Sequence, residues 1–293
     1  MKRILIISDG KPGHLNQSIA FCKIKNISYD ILEIKFKSKF HKLLSYAYDK
    51  IGYYTNGLFQ NYKKHYYEFY DAVVSCGSST YYFNKLISKE ENKKSIVLML
   101  PKGYKYQDFD YIIAQKHDNP PMLENLIQVP LNISFSKPKG LIKHNKEKDS
   151  IGIIIGGNNA VFSFDVLSLK NRLDEIFKDN KDKLKFVTTS RRTSKEVEEL
   201  IETYDFDYKL IYSNDPNINP IPDFLEQCKK LYITIDSTSM LSEARANSEA
   251  KITIIDLVAK KQNTKFHKLA SIVESINKKV DFEKLLKRVE VWE

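Results

Sequence analysis

Cysteine is scarce in this chain of 293 residues: Cys22, Cys76 and Cys228 are its three thiols, and no two form a C-x-x-C pair. That scatter argues against a disulfide framework or a zinc site and suits a reducing compartment. The six histidines show neither H-x-x-x-H nor H-E-x-x-H spacing, so no protein-held catalytic zinc is expected. Long apolar runs are missing too. Nothing approaches the roughly 18–20 residues of a membrane span. The run after Lys2 and Arg3 is only Ile4-Leu5-Ile6-Ile7 before it meets Asp9, which argues against a signal peptide. The expected location is cytoplasmic, either free or peripheral on the cytoplasmic face of the inner membrane. Neither G-x-G-x-x-G nor G-x-x-x-x-G-K-[ST] occurs, and there is no fixed-period repeat or low-complexity segment.

What is present begins at Ser8-Asp9-Gly10-Lys11-Pro12-Gly13-His14-Leu15-Asn16-Gln17-Ser18. It follows a buried strand, residues 2–8, and opens a helix that Asn16 or Ser18 would cap. Glycines at 10 and 13 admit close backbone approach, so the loop is either an anion or sugar site or simply a tight βα turn. His14 stands at its mouth, where a general base would, with Asp9 as the other candidate base.

The length suggests two domains, 1–140 and 141–293, joined through the basic, Pro- and Gly-broken stretch 136–150. Residues 1–149 carry 24 Lys and Arg against 14 Asp and Glu, while residues 150–293 carry 23 of each, so the whole net charge of +10 lies in the first half. Such asymmetry points to an anionic partner. Residues 36–70 concentrate it, with Lys37, Lys39, Lys42, Lys50, Lys63 and Lys64 among Tyr46, Tyr48, Tyr53, Tyr54, Tyr62, Tyr66, Tyr67 and Tyr70. Phe36, Phe40, Leu43, Leu44 and Ala47 fall at helical spacing. Three readings fit: a tyrosine-rich core with solvated lysines, a face for an anionic membrane, or a stacking surface for single-stranded nucleic acid.

Apolar runs then alternate with helical stretches, as in a doubly wound parallel α/β sheet. Ligands collect at the carboxyl ends of such strands. Asp9, His14, Gly77, Ser78, His117 and Asp118 fall there in the first half. After residue 150 the pattern restarts. Gly156-Gly157-Asn158 follows one strand, Ser190-Arg191-Arg192 a second and Ser237-Thr238-Ser239 a third. Glycine N–H groups, arginine forks and a helix start all suit a nucleotide diphosphate, and Glu243, one turn into that helix, suits ribose hydroxyls. Each motif alone is equally a turn, a solvated pair or a plain cap. Their convergence at successive strand ends favours the nucleotide.

These motifs, together with Lys116-His117-Asp118, Phe162 and Thr188 to Thr193, resemble the bacterial relatives of the plant "elongated mitochondria" fission factors. Those look like glycosyltransferases of the GT-B type, with two Rossmann-like domains facing across a cleft. The layout is also similar to the lipid-linked N-acetylglucosaminyltransferase of peptidoglycan synthesis. The resemblance implies a catalytic-base role for His14, with Asp9 and His117 as further catalytic candidates. It implies diphosphate contacts for Gly157, Arg191 and Ser237, and ribose contacts for Glu243. Gly10, Lys11, Gly13, Asn16, Gln17, Gly77, Ser78 and Asp118 become acceptor-binding candidates. At Gly77-Ser78-Ser79 the chain departs from the pattern, which would place a basic residue after the glycine.

The expected function is transfer of a sugar from a nucleotide sugar to a membrane-associated glycan or glycolipid, such as a lipooligosaccharide. No D-x-D motif is taken as available to hold a divalent ion, so independence of metal and of any cofactor is expected. The rivals are a nucleotide-sugar epimerase, a membrane-recruiting scaffold without catalysis and, last, a nucleic-acid protein; no nucleic-acid partner is expected.

Overall fold

The computed structural model describes residues 3–60, 66–143 and 147–291. Tyr62, Lys63 and Lys64 of the aromatic-basic stretch, and residues 144–146 of the expected linker, lie outside the described residues.

The chain divides into two compact units, Met1–Phe135 with Asp281–Glu293, and Ser136–Val280. The boundary expected at 140/141 therefore falls at 135/136. Residues 281–293, expected to close the second domain as an amphipathic helix, belong to the first.

The first unit runs β1 (Arg3–Ser8), α1 (Pro12–Ile24), β2 (Ser28–Glu33), α2 (Lys39–Ile51), β3 (Ala72–Cys76), α3 (Tyr81–Glu90), β4 (Lys94–Leu98), β5 (Tyr111–Gln115) and β6 (Leu126–Val129). Its six strands are all parallel, in the order β2-β1-β3-β4-β5-β6. Ile6 lies opposite Ile31 on one side and Val74 on the other. Ile4 to Ile7 are buried. Burying each such side chain stabilises the fold by about 1.5–3 kcal/mol, which is why an uninterrupted apolar run becomes a central strand.

Helix α1 starts earlier than expected. Pro12 suits the first helical turn because its missing N–H costs nothing there. Lys11 stands at the N-cap without a side-chain bond, and Asn16 and Ser18 lie inside the helix rather than capping it.

Helix α2 is built inside out. Ser38 caps it, accepting from the His41 N–H, and Gly52 ends it with φ at +75°. Its inward face is polar. Ser45 and Asp49 are fully buried. The Ser45 hydroxyl meets the Tyr104 hydroxyl at 2.8 Å, and Asp49 takes the Lys85 ammonium at 2.6 Å and the Lys105 N–H at 2.7 Å. Its outward face is apolar, with Phe40 63%, Leu43 66% and Ile51 76% exposed. The remainder of the stretch divides. Phe36, Leu58, Phe59, Tyr67 and Tyr70 join the core, and Tyr46, Tyr48 and Tyr54 pack against it.

The second unit runs β7 (Ser150–Ile154), β8 (Phe162–Ser163), α4 (Val166–Asp179), β9 (Leu184–Thr188), α5 (Lys195–Glu202), β10 (Tyr208–Leu210), α6 (Ile221–Gln227), β11 (Lys230–Thr234), α7 (Thr238–Asn247), β12 (Lys251–Ile255), β13 (Val258–Ala259) and α8 (Lys265–Ser275). The parallel sheet has the order β10-β9-β7-β11-β12, and β8 and β13 form a small antiparallel pair. The short α9 (Phe282–Leu285) then returns to the first unit. There the Leu286 carbonyl accepts from Lys25 Nζ and the Arg288 guanidinium donates to the Leu126 carbonyl.

The architecture is thus α/β, two doubly wound Rossmann-like units with parallel sheets, as the GT-B reading requires. In each sheet the strand order reverses once, between β1 and β3 in the first and between β7 and β11 in the second. Loops diverge at such points and leave a crevice beyond the strand ends.

Candidate active-site loops

Both switch points carry the residues that the sequence singles out. In the first unit Asp9 follows β1 and His14 sits in the first turn of α1. The His14 Nδ1 lies 3.1 Å from both Asp9 carboxylate oxygens. An imidazole that gives its Nδ1 proton to a carboxylate keeps Nε2 as an acceptor, the state a general base needs. The Lys11 ammonium holds the same carboxylate at 2.9 Å, and the Asp9 side chain is only 5% exposed. Burial by itself raises the Asp9 carboxyl, but Lys11 and His14 outweigh it and hold it below the usual carboxylate range.

The β3 loop closes over this pair. Gly77 has φ at +90°, and a Cβ there would collide with the His14 ring. Gly77→Ala is therefore expected to cost about 1–2 kcal/mol for the left-handed backbone alone and to push the imidazole off Asp9. Thermal unfolding and the His14 ring resonances would report the two effects separately.

The cation missing after Gly77 comes from elsewhere in the chain. Lys42, reaching inward from α2, donates to the Ser78 hydroxyl at 2.8 Å and to the Ser79 hydroxyl at 3.4 Å. Reading along the chain does not separate Lys42 from the other lysines of residues 36–70; only its position on the inward face of α2 distinguishes it.

The other first-unit candidates separate. Gly10, Lys11, Gly13 and Asn16 are exposed around the loop. Gln17 is buried and is used at both ends, donating to the Gly13 carbonyl and accepting from the Gln115 amide. It braces α1 against β5 instead of facing a substrate. His117 and Asp118 follow β5, three places along the sheet from β1, and Asp118 pairs with Lys102 at 2.9 Å.

In the second unit the organising group is one that sequence reasoning missed. Asp236, 1% exposed, follows β11. One carboxylate oxygen accepts from the Gly157 N–H at 3.0 Å and from Arg192 Nη2 at 2.6 Å, and the other from the Thr234 hydroxyl at 2.6 Å. The Thr234 hydroxyl in turn accepts from the Gly156 N–H at 2.7 Å. Glycine is required here by space: a Cβ on Gly156 would strike the Asp236 carboxylate, and one on Gly157 the Arg192 backbone. Thr193 fastens the third loop, donating to the Gly156 carbonyl at 2.6 Å and accepting from the Ser190 N–H at 2.8 Å.

These loops surround a cavity of about 320 Å³ lined by Asn159, Arg192, Asp236, Ser237, Thr238 and Phe266, among others. Ser237 caps α7, accepting from the Met240 N–H. The structure sorts the expected nucleotide set. Arg192 lines the cavity, whereas Arg191 is exposed. Asn159 lines it, whereas the Asn158 side chain is turned to the Phe164 N–H. Ser190 shapes its turn, and Ser239 is exposed on the first turn of α7. Phe266, at the start of α8, was not expected; it packs on Phe162 with ring centroids 5.5 Å apart. Glu243 is half-buried on α7. Burial raises its carboxyl, with the Ser136 hydroxyl and the Lys139 charge pulling the other way.

Among the described residues no group of three or more His, Cys, Asp or Glu side chains is placed to hold a metal ion. The expectation that no D-x-D motif is available is corrected here: the sequence contains two, Asp108-Phe109-Asp110 and Asp205-Phe206-Asp207. Both precede strands, at the ends remote from the loops, and Asp108, Asp110 and Asp207 accept from Lys85, the Ser95 N–H and the Lys185 N–H.

Comparison with known proteins gives the following. The chain is 28% identical over 226 residues to the uncharacterized protein RP120 of Rickettsia prowazekii (strain Madrid E), across 61% of this chain. It spans 63% of that relative's length. Among solved structures it resembles a candidate UDP-N-acetylglucosamine 2-epimerase from Listeria monocytogenes, with a TM-score of 0.53, 12% identity, and coverage of 92% of this chain and 87% of that one. The MnaA–UDP complex of S. aureus has a TM-score of 0.50, 11% identity, and coverage of 97% and 89%. At such identity these two share the fold. The family model described as mitochondrial fission ELM1 matches residues 12–292, nearly the full length, and the chain belongs to that family.

Proposed function

We propose that this chain is a glycosyltransferase that moves a sugar from a nucleotide-sugar donor to a membrane-associated glycan or glycolipid, without a metal ion. The observation that carries this reading is the Asp236 cluster. It holds the Arg192 guanidinium at a cavity, lined also by the Ser237–Thr238 start of α7 and by Asn159, at a switch point. One guanidinium N–H is spent on Asp236, and the remaining donors match a phosphate fork. The UDP held by S. aureus MnaA on a similar fold supports the same ligand class.

In this mechanism His14 Nε2 takes the proton of the acceptor hydroxyl as its oxygen bonds to the anomeric carbon. The nucleoside diphosphate leaves, and Arg192 with the α7 N-terminus takes up its charge, an electrostatic role usually worth several kcal/mol. An epimerase is the second reading, favoured by the Listeria likeness. Proton NMR of the chain with UDP-, GDP-, CDP- and CMP-sugars and a membrane extract separates the two. Acceptor-dependent release of free nucleotide is expected. Conversion of the donor to its C2 epimer without net release would replace the transferase by the epimerase.

The membrane part of the reading is supported by α2. Buried polar groups on one face and exposed Phe40, Leu43 and Ile51 on the other reverse the usual arrangement, and Lys35, Lys37, Lys39 and Lys50, in or just before the helix, are exposed as well. No helix among the described residues is long and apolar enough to cross a membrane. An interfacial helix inserts such a face, and nearby lysines add about 1 kcal/mol each on anionic lipid. Phe40→Ser with Leu43→Ser is expected to weaken co-sedimentation with phosphatidylglycerol vesicles tenfold or more. Unchanged binding would remove α2 from the membrane reading.

A further inference from the structure

The inward face of α2 brings a second charge to the His14 loop. Two ammonium groups, Lys11 and Lys42, share the neighbourhood of one carboxylate, Asp9, and that carboxylate is already committed to His14 and Lys11. Lys42 is half-buried and donates to two hydroxyls, Ser78 Oγ at 2.8 Å and Ser79 Oγ at 3.4 Å. A partly desolvated ammonium held by neutral acceptors is a costly arrangement unless an anion completes it. Burial lowers the Lys42 ammonium, and the Lys11 charge lowers it further, with Asp9 opposing. A bound anion would reverse that shift. Ser78 adjoins Gly77, against which the His14 ring rests, so the anion would sit beside the proposed base.

We propose that Lys42, Ser78 and Lys11 form an anion subsite on the first unit that takes a phosphate group of the acceptor and places the acceptor hydroxyl at His14. This rests on the transferase reading and narrows its acceptor to a phosphorylated one, a sugar phosphate or a lipid-linked diphosphate. A phosphate held by a lysine and a hydroxyl gains charge-assisted hydrogen bonds, each strong enough to change affinity about tenfold or more.

The test uses the full chain and inorganic pyrophosphate as probe. The background is Arg192→Ala, which disables the second-unit cavity, and the long-range proton–nitrogen resonances of the His14 ring are the readout. Pyrophosphate is expected to shift those resonances saturably. Adding Lys42→Met should weaken the effect at least tenfold, and Lys42→Arg should retain most of it. UDP binding by Lys42→Met alone should match the wild type, which shows that the variant is folded. If Lys42→Met leaves the pyrophosphate response intact, or if pyrophosphate never moves His14 while UDP binds the wild type, the subsite is wrong and the donor reading stands. If pyrophosphate moves His14 through Lys42 and no nucleotide binds, the subsite stands and the transferase reading falls.

Discussion

Asp236→Ala is expected to lower stability by about 3 kcal/mol, since the Gly157 N–H and the Thr234 hydroxyl would each be left buried without an acceptor at roughly 1–3 kcal/mol apiece. For a protein of this size that is a fall in Tm on the order of 10 °C. The same substitution releases Arg192, so nucleotide affinity should vanish as well. Asp236→Asn is the informative partner. An amide oxygen can still accept from the Gly157 N–H while its NH2 turns to the Thr234 hydroxyl oxygen, so much of the stability should remain, while the charge that fixes Arg192 is gone. Thermal unfolding of both variants tests the argument: a loss under 1 kcal/mol in Asp236→Ala would mean that the carboxylate is not the keystone of these loops.

His14→Ala is expected to reduce transfer by 10²–10⁴-fold, the usual worth of a positioned general base. Donor binding should be unchanged, because the Asp236 cluster lies on another sheet. The KM for the nucleotide sugar should then hold while kcat falls. Asp9→Asn should produce much of the same loss, since an amide cannot hold the Nδ1 proton as the carboxylate does. A His14→Ala variant with full activity would move the base elsewhere, and the scaffold reading would gain if no variant of either loop affected the protein's role.

The sheets and their loops were legible because a buried parallel strand writes a continuous apolar run and a switch-point loop writes small and polar residues after it. Ile4 to Ile7 before Asp9, and Ile151 to Ile155 before Gly156, are examples. What spacing along the chain does not encode is which partners meet. Arg191 and Arg192 are indistinguishable until the turn fixed by Thr193 points one of them at Asp236. Asp236 itself looked like the residue before a helix cap, not a buried acceptor for three loops. The stripe on α2 was legible as a stripe, but periodicity does not say which face turns inward. Polar groups went in because Lys85, Lys105 and Tyr104 were there to satisfy them. Lys42, supplied to Ser78 from 36 residues earlier, was invisible for the same reason. So was the return of residues 281–293, which depends on bonds to Lys25 and Leu126 far back in the chain.

The central claim is that the second unit binds a nucleoside diphosphate through Arg192. Calorimetric titration of the wild type with UDP, GDP, CDP and ADP, beside Arg192→Ala, tests it most directly. One of these nucleotides should bind the wild type and bind Arg192→Ala at least tenfold more weakly, because a guanidinium–phosphate fork contributes about 1.5–3 kcal/mol. Absence of binding by all four to folded wild type, or equal affinity in the variant, would contradict it.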